Sequence, residues 1–424
     1  MLSRYMSSND RGVPDARSGL FLDEAYAPVI IATILREEGT TGVQTHVRQL
    51  RRYLEECGTD AALVTPFSWG APLTYAVFGF RLLLVRCSGS ASVAWYRYWH
   101  EVFLRNALRR CLAEVGDCVV YAQGPSEAQA ALRARRGPSQ RVVMAVHFKF
   151  SQADEWVNTT YSPIKPDGTV FRAIRRLERK VIPSVDGLVY VSAWARDALL
   201  SWLPEAAAVP SAVIGNFVAS PHNQPDQEPL GDLVSTGGLD LVKNHRFLLQ
   251  VLAEAKRAGR TLTLDIFGDG PLRKDLLELT RSLGLGDQVR FRGFRRDVRD
   301  FLPGYRAYVH ASYSETSSLA IIEAMAAGLP IVAGNIGGIA ELCDDGVEAR
   351  FWPLDDPAQA AATLLDLLDC EPIRLKAAAA AAERFRRDFD ASVIVPRLRS
   401  FLLGTTPLAP PAGTPLKVPA PPVP

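Results

Sequence analysis

The chain has 424 residues, of which 48% are hydrophobic and 22% charged, and its 48 basic and 46 acidic side chains give a formal net charge of +2. At roughly 100–200 residues per domain, this length predicts two or three domains with hydrophobic cores. The near-neutral charge argues against a protein that binds nucleic acid through its overall field. The six cysteines show neither a C-x-x-C pair nor the spacing of a zinc site, so the sequence favours reduced, mostly buried thiols in a cytoplasmic protein over a disulfide framework.

Two segments raise the question of membrane contact. Residues 61–80 carry no charge, but two prolines and a glycine interrupt them, which favours a strand ending near Thr65 and a pocket-lining loop over a membrane-spanning helix. Residues 95–110 mix aromatic and basic side chains, a pattern that fits either an ordinary surface helix or peripheral attachment to a membrane. The prediction is a cytoplasmic protein, with association at the cytoplasmic face of a membrane as an open alternative.

Short apolar runs alternate with amphipathic stretches along most of the chain, and this alternation predicts parallel sheets with crossover helices. Residues 217–232 lose the periodicity and gain proline and acidic residues, which is typical of a linker between domains. The predicted parts are, in order, a disordered N-terminus at 1–25, a first domain at 26–216, the linker, a second domain at 233–388, a C-terminal helix at 389–404 that crosses back to the first domain, and a disordered proline-rich tail at 405–424.

The apolar runs define the predicted strands. Those of the first domain are Val29–Leu35, Ala61–Thr65, Arg81–Val85, Cys118–Ala122, Arg141–Val146 and Leu188–Ser192. Those of the second domain are Leu233–Thr236, Leu262–Phe267, Val289–Arg292, Ala307–Ala311, Ile331–Ala333 and Ala349–Trp352. Because ligands of open parallel sheets bind beyond the carboxyl ends of the strands, we expect the chemistry in a cleft between the two sheets.

The stretch from His310 to Glu341 is the most informative part of the sequence. It contains a strand end, a serine-rich loop with Glu315, and a helix in which Glu323 is the only charged residue. Within one unbroken helix, eight residues would separate these carboxylates by about 12 Å, so we expect Glu315 in the loop and both carboxylates facing the cleft. The alternative is a helix N-terminal carboxylate plus a solvated one, which the apolar neighbours of Glu323 disfavour because an unpaired buried carboxylate is costly.

The spacing S-x-x-E-x7-E-A-M-A-x-G-x-P, from Ser312 to Pro330, resembles the signature of the retaining glycosyltransferases of family 4, which have the GT-B fold. The resemblance extends over about residues 28–403 and is strongest at 233–345. It implies an α/β fold with two Rossmann-like domains whose parallel sheets face each other across a cleft. It also implies that the first domain binds the acceptor and the second binds a nucleotide sugar.

The resemblance assigns roles to individual residues. Glu315 resembles the glutamate that holds the hydroxyls of the donor sugar, and Glu323 resembles the one that accepts the ribose hydroxyls of the nucleotide. Lys243 follows a strand and a glycine turn, and it resembles the lysine that binds the leaving diphosphate. The residues whose backbone N–H groups meet the diphosphate at the start of the helix are Thr316, Ser317, Ser318 and Leu319.

Two positions depart from the family pattern. The family commonly has arginine where this chain has Gly238, so the usual Arg–Lys pair is reduced to Lys243. Either another basic residue supplies the second charge, or the donor is held differently, or activity is low. The second departure is Thr316–Ser318, which stands where the family often has Gly-Phe-Gly and which bears on the choice of donor.

Four other residues complete the predicted site. His147, at a strand end, resembles the catalytic histidine that contacts the donor sugar, and a structural histidine is the alternative. Gly42, Gly268 and Gly293 resemble glycines that let the backbone approach the donor closely. Ordinary tight turns are the alternative for Gly268 and Gly293.

The implied activity is transfer of a hexosyl-type sugar from a nucleotide diphosphate sugar to an acceptor hydroxyl with retention, in the synthesis of a cell-surface polysaccharide or glycoconjugate. The acceptor is a saccharide, a lipid-linked saccharide or a small molecule, recognised by loops at 66–80, 88–104 and 148–170. No cofactor is implied, and no metal is expected, because Lys243 and helix N-termini do the work that a divalent ion would do. The departing phosphate itself takes the proton of the acceptor. Two alternatives stay open, a nucleotide-sugar 2-epimerase with the same fold and a catalytically weak donor-binding or scaffold subunit.

Overall fold

Two parallel sheets of six strands organise the computed structural model, which describes residues 27–36, 42–68, 71–157, 164–221 and 229–404. The termini predicted to be disordered and residues 222–228 of the predicted linker lie outside these ranges. The strands of the first sheet are β1 (Val29–Ala32), β2 (Ala61–Val64), β3 (Cys118–Ala122), β4 (Gln140–Val146), β5 (Gly187–Tyr190) and β6 (Ser211–Val213). Those of the second are β7 (Gly231–Thr236), β8 (Leu264–Phe267), β9 (Val289–Gly293), β10 (Tyr305–His310), β11 (Ile331–Gly334) and β12 (Ala349–Trp352).

Helices connect the strands of both sheets. Those among the first sheet are α1 (Gly42–Glu56), α2 (Ala71–Cys87), α3 (Gly89–Glu114), α4 (Pro125–Ala134), α5 (Gln152–Val157), α6 (Thr169–Val181) and α7 (Ala193–Trp202). Those among and after the second are α8 (His245–Arg257), α9 (Arg273–Ser282), α10 (Val298–Phe301), α11 (Leu319–Ala326), α12 (Ile339–Leu342), α13 (Pro357–Asp369), α14 (Glu371–Asp388) and α15 (Ala391–Leu403).

The strand order is β2-β1-β3-β4-β5-β6 in the first sheet and β12-β11-β10-β7-β8-β9 in the second. In both sheets the order reverses beside the first strand, which places a crevice at the carboxyl ends of the central strands. β1 and β3 are fully buried, as expected for apolar strands covered by helices on both faces. The predicted α/β class with two parallel sheets is confirmed.

The predicted strand Arg81–Val85 is wrong, because these residues lie inside α2. A short apolar run fits a strand or a stretch of helix equally well, and here the uncharged residues before it extend the helix back to Ala71. The predicted loop at 66–80 is wrong for the same reason: after the 3₁₀ turn Pro66–Ser68, residues 71–80 are helical. The predicted loop at 88–104 is also wrong, since it falls in α3 and its cap, while β6 was not predicted.

α2 and α3 form an antiparallel helical hairpin. Ser88 caps α3 by accepting a hydrogen bond of 3.2 Å from the backbone N–H of Ala91. The indole of Trp95 donates a hydrogen bond of 3.0 Å to the carbonyl of Val77, which fastens α3 to α2. Across the described ranges, no helix combines the length and the apolar composition that a bilayer crossing requires.

The chain passes between the two sheets at two adjacent points. Val218 leaves the first sheet and forms a parallel bridge with Asp390, where the chain returns from the second. Asp390 then caps α15 by accepting a hydrogen bond of 2.8 Å from the N–H of Ser392. The apolar face of α15 packs in the core of the first sheet, so the last helix stabilises the first domain.

A buried carboxylate joins three strands of the second sheet. Asp265 of β8 is completely buried, and its oxygens accept hydrogen bonds from Arg290 at 2.5 Å, Arg292 at 2.8 Å and the hydroxyl of Tyr305 at 2.7 Å. Both arginines remain partly open to solvent. Asp265 therefore links β8 to β9 and β10 without an unpaired charge in the core.

Replacing Asp265 by alanine should lower the free energy of unfolding by about 3 kcal/mol, the lower end for breaking a buried ion pair, because both arginines keep access to water. Chemical denaturation measures this loss. The matched control is Asp369→Ala, whose pair with Arg260 lies at the surface and should contribute little. Equal losses in the two variants would contradict the assigned role of Asp265.

Candidate functional site

Glu315 is the centre of a charged cluster at the carboxyl end of the second sheet. It lies in the loop between β10 and α11, as expected, and its Oε1 accepts hydrogen bonds from Lys243 Nζ at 2.6 Å and from His310 Nε2 at 3.0 Å. Burial opposes ionisation of this carboxyl group, but Lys243 and His310 outweigh it and hold its pKa well below the usual range. Glu315 is therefore an ionised acceptor whose Oε2 makes no bond to any residue in the described ranges.

Lys243 reaches this carboxylate from the turn after β7. Its backbone N–H donates a hydrogen bond of 3.0 Å to Asp240, which closes the turn, and Asn244 then takes a left-handed conformation before α8 begins. The Lys243 side chain passes along Gly237, where an added Cβ would lie 3.6 Å from it. About a quarter of the side chain is exposed, so the ammonium group stands at the edge of the cleft.

His310, the last residue of β10, was missed in the sequence. Its side chain is 3% exposed, and it both positions Glu315 and stabilises the ionised form. The available signal was a histidine at a strand end five residues before the glutamate, in a loop rich in serine.

Glu323 lies on α11, and its carboxylate is set differently from that of Glu315. Its half-buried carboxylate makes no hydrogen bond or ion pair with the residues that the structure describes. Burial raises its pKa to about 7, and Arg299 opposes this shift only in part. Both carboxylates act on the hydroxyl of Tyr308 in β10, whose pKa is raised mainly by burial. Glu315 and Lys243 are thus in direct contact, while Glu323 lies nearby with its carboxylate free.

The loop after Glu315 carries polar groups into the cleft. The hydroxyl of Thr316 donates a hydrogen bond of 3.1 Å to the carbonyl of His147 in the first domain. The carbonyl of Ser317 accepts one of 2.9 Å from the Asn216 amide, also in the first domain. The side-chain hydroxyls of Ser317 and Ser318 are buried without a described partner, next to the start of α11 at Leu319. Unpaired donors at a helix N-terminus suit an anionic ligand.

His147 follows β4 and faces the cleft from the first domain. Its Nε2 donates a hydrogen bond to Gln123 Oε1, with a nitrogen–oxygen distance of 3.0 Å. Burial lowers the pKa of His147 to about 4, so the imidazole is neutral near pH 7. The hydrogen bond from Thr316 to the carbonyl of His147 joins the end of β4 to the loop that carries Glu315.

The three glycines predicted to approach the donor lie in different backbone settings. Gly268 packs so closely against the turn after β7 that an added Cβ would lie 1.8 Å from the carbonyl oxygen of Gly237, so any side chain would disrupt two strand ends. Gly293 has φ +72° with open space around it, which is the requirement of a turn. Gly42 begins α1, and the preceding residues 39–41 of the predicted loop lie outside the described ranges.

Glu341 makes a third contact between the domains. Its two oxygens accept hydrogen bonds from the backbone N–H groups of Ala193 at 2.8 Å and Trp194 at 2.6 Å. A carboxylate of the second domain thus caps α7 of the first domain.

One cavity of about 680 Å³ lies apart from this cluster, between α3, α4 and α6. None of the residues predicted to bind the donor lines it. Within the described ranges, no three His, Cys, Asp or Glu side chains are grouped as a metal site. The charged cluster at the strand ends therefore defines the candidate site.

Two family models match the chain, one on each sheet. The model for Glycosyltransferase Family 4 matches residues 40–220, and the model for Glycosyl transferases group 1 matches residues 231–370. The phosphatidyl-myo-inositol mannosyltransferase of Mycolicibacterium smegmatis is 27% identical over 363 residues, which are 83% of this chain and 87% of that protein.

Solved structures agree on the fold. Sucrose-phosphate synthase from Thermosynechococcus elongatus superposes with a TM-score of 0.67 at 17% identity, over 90% of this chain and 100% of that one. Anabaena HepE, solved in complex with UDP-glucose, superposes with a TM-score of 0.62 at 17% identity, over 89% and 99% of the two chains. The chain belongs to glycosyltransferase family 4 and has the GT-B fold of two Rossmann-like domains.

Proposed function

We propose that this glycosyltransferase moves a hexosyl-type sugar from a nucleotide diphosphate sugar to an acceptor hydroxyl, with retention of configuration. The observation that carries the proposal is the cluster of Lys243, Glu315 and His310 at the cleft, opposite His147. The similar proteins support this proposal. A sequence relative is a phosphatidyl-myo-inositol mannosyltransferase, and a protein of similar structure was solved in complex with UDP-glucose.

The cluster suggests how the donor is held. Glu315 uses only Oε1 for Lys243 and His310, so Oε2 is available to accept a sugar hydroxyl. Lys243 keeps two ammonium hydrogens for the diphosphate, where negative charge grows as the glycosidic bond breaks. The unpartnered hydroxyls of Ser317 and Ser318 and the N–H groups at the start of α11 add neutral donors. The free carboxylate of Glu323 is suited to the ribose diol.

Neutral His147 contributes a polar contact to the sugar from the first domain and carries no charge to compete with Lys243. The acceptor hydroxyl then attacks on the face from which the diphosphate leaves, and the departing phosphate takes its proton. We propose that no cofactor or metal takes part, because Lys243 and the helix N-terminus supply the positive potential. The protein contributes orientation and closure of the cleft over the donor.

We further propose a lipid-linked acceptor and peripheral contact with a membrane, and we place this contact on α2. Leu73, Phe80 and Leu83 follow one another on one face of α2 over about 15 Å, and each is about half exposed. The 40 residues from 61 to 100 contain three arginines and no acidic residue. An exposed apolar stripe accompanied by the exposed Arg86, with no acidic residue in this segment, suits an anionic lipid surface.

The position of this stripe supports a role in presenting a lipid-linked acceptor. The guanidinium of Arg36, just beyond β1, lies 5.1 Å from the ring centres of both Phe67 and Tyr75. The start of α2 is thereby attached to the carboxyl end of the first sheet, where the acceptor binds in the proposed reaction. The segment 95–110, on which the sequence placed this contact, has Trp95 and Trp99 half-buried against neighbouring rings.

Lys243→Ala should lower turnover by about 10²- to 10³-fold, because one group that stabilises developing charge is removed. The measurement is release of nucleotide and sugar from a panel of UDP- and GDP-sugars, first without and then with candidate acceptors. Lys274→Ala, at an exposed lysine of α9 in the same domain, is the control and should retain full activity.

The same panel separates the alternative functions. Nucleotide release with free or transferred sugar supports the transferase. Epimerised nucleotide sugar without release of nucleotide would contradict the transferase function. So would binding of a nucleotide sugar without turnover with every acceptor in the panel. Unchanged kinetics of Lys243→Ala would remove Lys243 from the mechanism.

Nucleotide affinity should depend on the ionisation of Glu323. Because burial raises the pKa of this group to about 7, the ionised form that best accepts ribose hydroxyls predominates at pH 8 and declines towards pH 6. Affinity for the nucleotide diphosphate, measured by calorimetry, should therefore weaken as the pH falls over this range. Glu323→Gln should weaken binding at pH 8 by about ten- to hundredfold and flatten the pH dependence.

The control for this titration is Glu278→Gln, at an exposed carboxylate of α9, which should behave as the unmodified protein. The diphosphate also titrates in this range, so the difference between the protein and its Glu323→Gln variant is the informative quantity. Parallel pH profiles for the two would rule out Glu323 as the ribose ligand.

The membrane contact is tested by sedimentation with vesicles of phosphatidylcholine alone or with phosphatidylglycerol. The protein should bind the anionic vesicles, less so at high salt, and Leu73→Ser/Leu83→Ser should bind at least about tenfold more weakly. Those leucines are 58% and 57% exposed, and the control Ile373→Ser/Leu375→Ser alters residues of α14 that are 41% and 51% exposed. Equal binding by both double variants would refute the assigned surface, as would self-association through α2 in place of vesicle binding.

A further inference from the structure

The absence of an arginine at Gly238 leaves a question about charge in the donor site. A nucleotide diphosphate brings at least two negative charges, and in the second domain Lys243 alone stands at the turn after β7 to meet them. Gly238 has an ordinary backbone conformation, and an added Cβ would meet only the flexible carboxylate of Asp240 at 3.2 Å. The backbone here tolerates a side chain, so its absence is a feature of this sequence.

A second cation approaches the same place from the first domain. Lys149 lies in the loop after β4, between two anchored residues. Phe148 is buried in the core of the first sheet, and the carbonyl of Phe150 accepts a hydrogen bond of 2.6 Å from the indole of Trp202. Two residues before Lys149, the carbonyl of His147 accepts the hydrogen bond from Thr316 across the cleft. The loop is therefore fixed on one side and joined to the Glu315 loop on the other.

Three of the four charged groups that act on Lys149 belong to the second domain. The Lys149 ammonium group interacts electrostatically with Glu315, Lys243 and Asp240, all of which surround the proposed diphosphate position. It makes no hydrogen bond or ion pair with the residues that the structure describes, although it is half-buried. Burial lowers the pKa of Lys149, Lys243 adds to this effect, and nearby carboxylates oppose it.

The first domain supplies only a partial negative charge to balance the ammonium group of Lys149. The carboxylate that interacts most strongly with Lys149 is Glu155 of α5, and burial raises the pKa of Glu155 to about 7. At neutral pH this carboxyl group is only partly ionised. The other two carboxylates that act on Lys149 are already engaged by Lys243, Glu315 through its ammonium group and Asp240 through its backbone N–H. The Lys149 ammonium group, which bonds to none of the described residues, therefore keeps its hydrogens available for an anionic ligand.

We infer that Lys149 is the second cation that binds the donor diphosphate, reaching across the cleft to act with Lys243 in place of the arginine absent at position 238. The inference rests on the proposed function, because it takes the Lys243 cluster as the diphosphate site. It assigns the two charges to different domains. The diphosphate is fully neutralised only when the two loops are in contact, as they are through Thr316 and His147.

The test compares the affinities of UDP and uridine, or of GDP and guanosine if the guanine nucleotide is the better ligand. Lys149→Met keeps the aliphatic stem and removes the charge, so it should weaken UDP binding by about ten- to hundredfold and leave uridine binding unchanged. Lys180→Met alters an exposed lysine of α6 in the same domain and should change neither affinity. Equal UDP affinity in the Lys149→Met variant and the unmodified protein would overturn the inference, and so would an equal loss for both ligands.

A second substitution checks that charge is the cause. Gly238→Arg in the Lys149→Met background places a cation on the second domain and should restore much of the lost UDP affinity. UDP binding as weak as in the single variant would assign the loss to another cause and contradict the inference. The outcomes also separate this inference from the proposed function: if UDP binding depends on neither Lys243 nor Lys149, the donor site itself is misplaced, whereas dependence on Lys243 alone removes only Lys149.

Discussion

The site depends on one constraint, the pairing of a carboxylate that has been removed from water. Glu315 is almost fully buried, and an unpaired charge at that depth would cost several kcal/mol. The two groups that pair with it come from different strand ends, Lys243 after β7 and His310 at the end of β10. Because both bind the same oxygen, the two strand ends are held in register and the second oxygen stays free. The same interaction that stabilises this part of the fold therefore prepares an acceptor for a hydroxyl group.

The domains meet through a small set of hydrogen bonds that use backbone groups. Thr316 bonds to the carbonyl of His147, Asn216 to that of Ser317, and Glu341 to two N–H groups at the start of α7. Polar contacts of this kind exchange readily with water, so such an interface opens at low cost compared with an apolar one. The crossings at Val218 and Asp390 keep the two sheets tethered during such a motion. A cleft that must admit a donor and then exclude water needs this combination.

The parts of the fold that follow from local sequence could be predicted, and those that depend on distant contacts could not. Buried apolar runs identified nearly all strands, and the rise of a helix correctly predicted that Glu315 lies in a loop. The prediction of a strand at Arg81–Val85 was wrong because a short apolar run fits a strand and a helix equally well. Lys149 went unrecognised because its relation to Lys243 spans 94 residues and two domains. The capping of α7 by Glu341 could not be predicted either, because it depends on the relative position of the two sheets.

The division of charge between domains changes what donor binding accomplishes. An Arg–Lys pair on one domain would neutralise the diphosphate equally well in an open or a closed cleft. With Lys243 on one side and Lys149 on the other, the second electrostatic contact forms only on closure, so part of the binding free energy is coupled to the motion. Closure also removes water, which strengthens both lysine contacts as charge develops on the leaving diphosphate. Gly238 is therefore compatible with an active enzyme. In its place, the second positive charge on the diphosphate comes from the first domain, so donor binding depends on both domains.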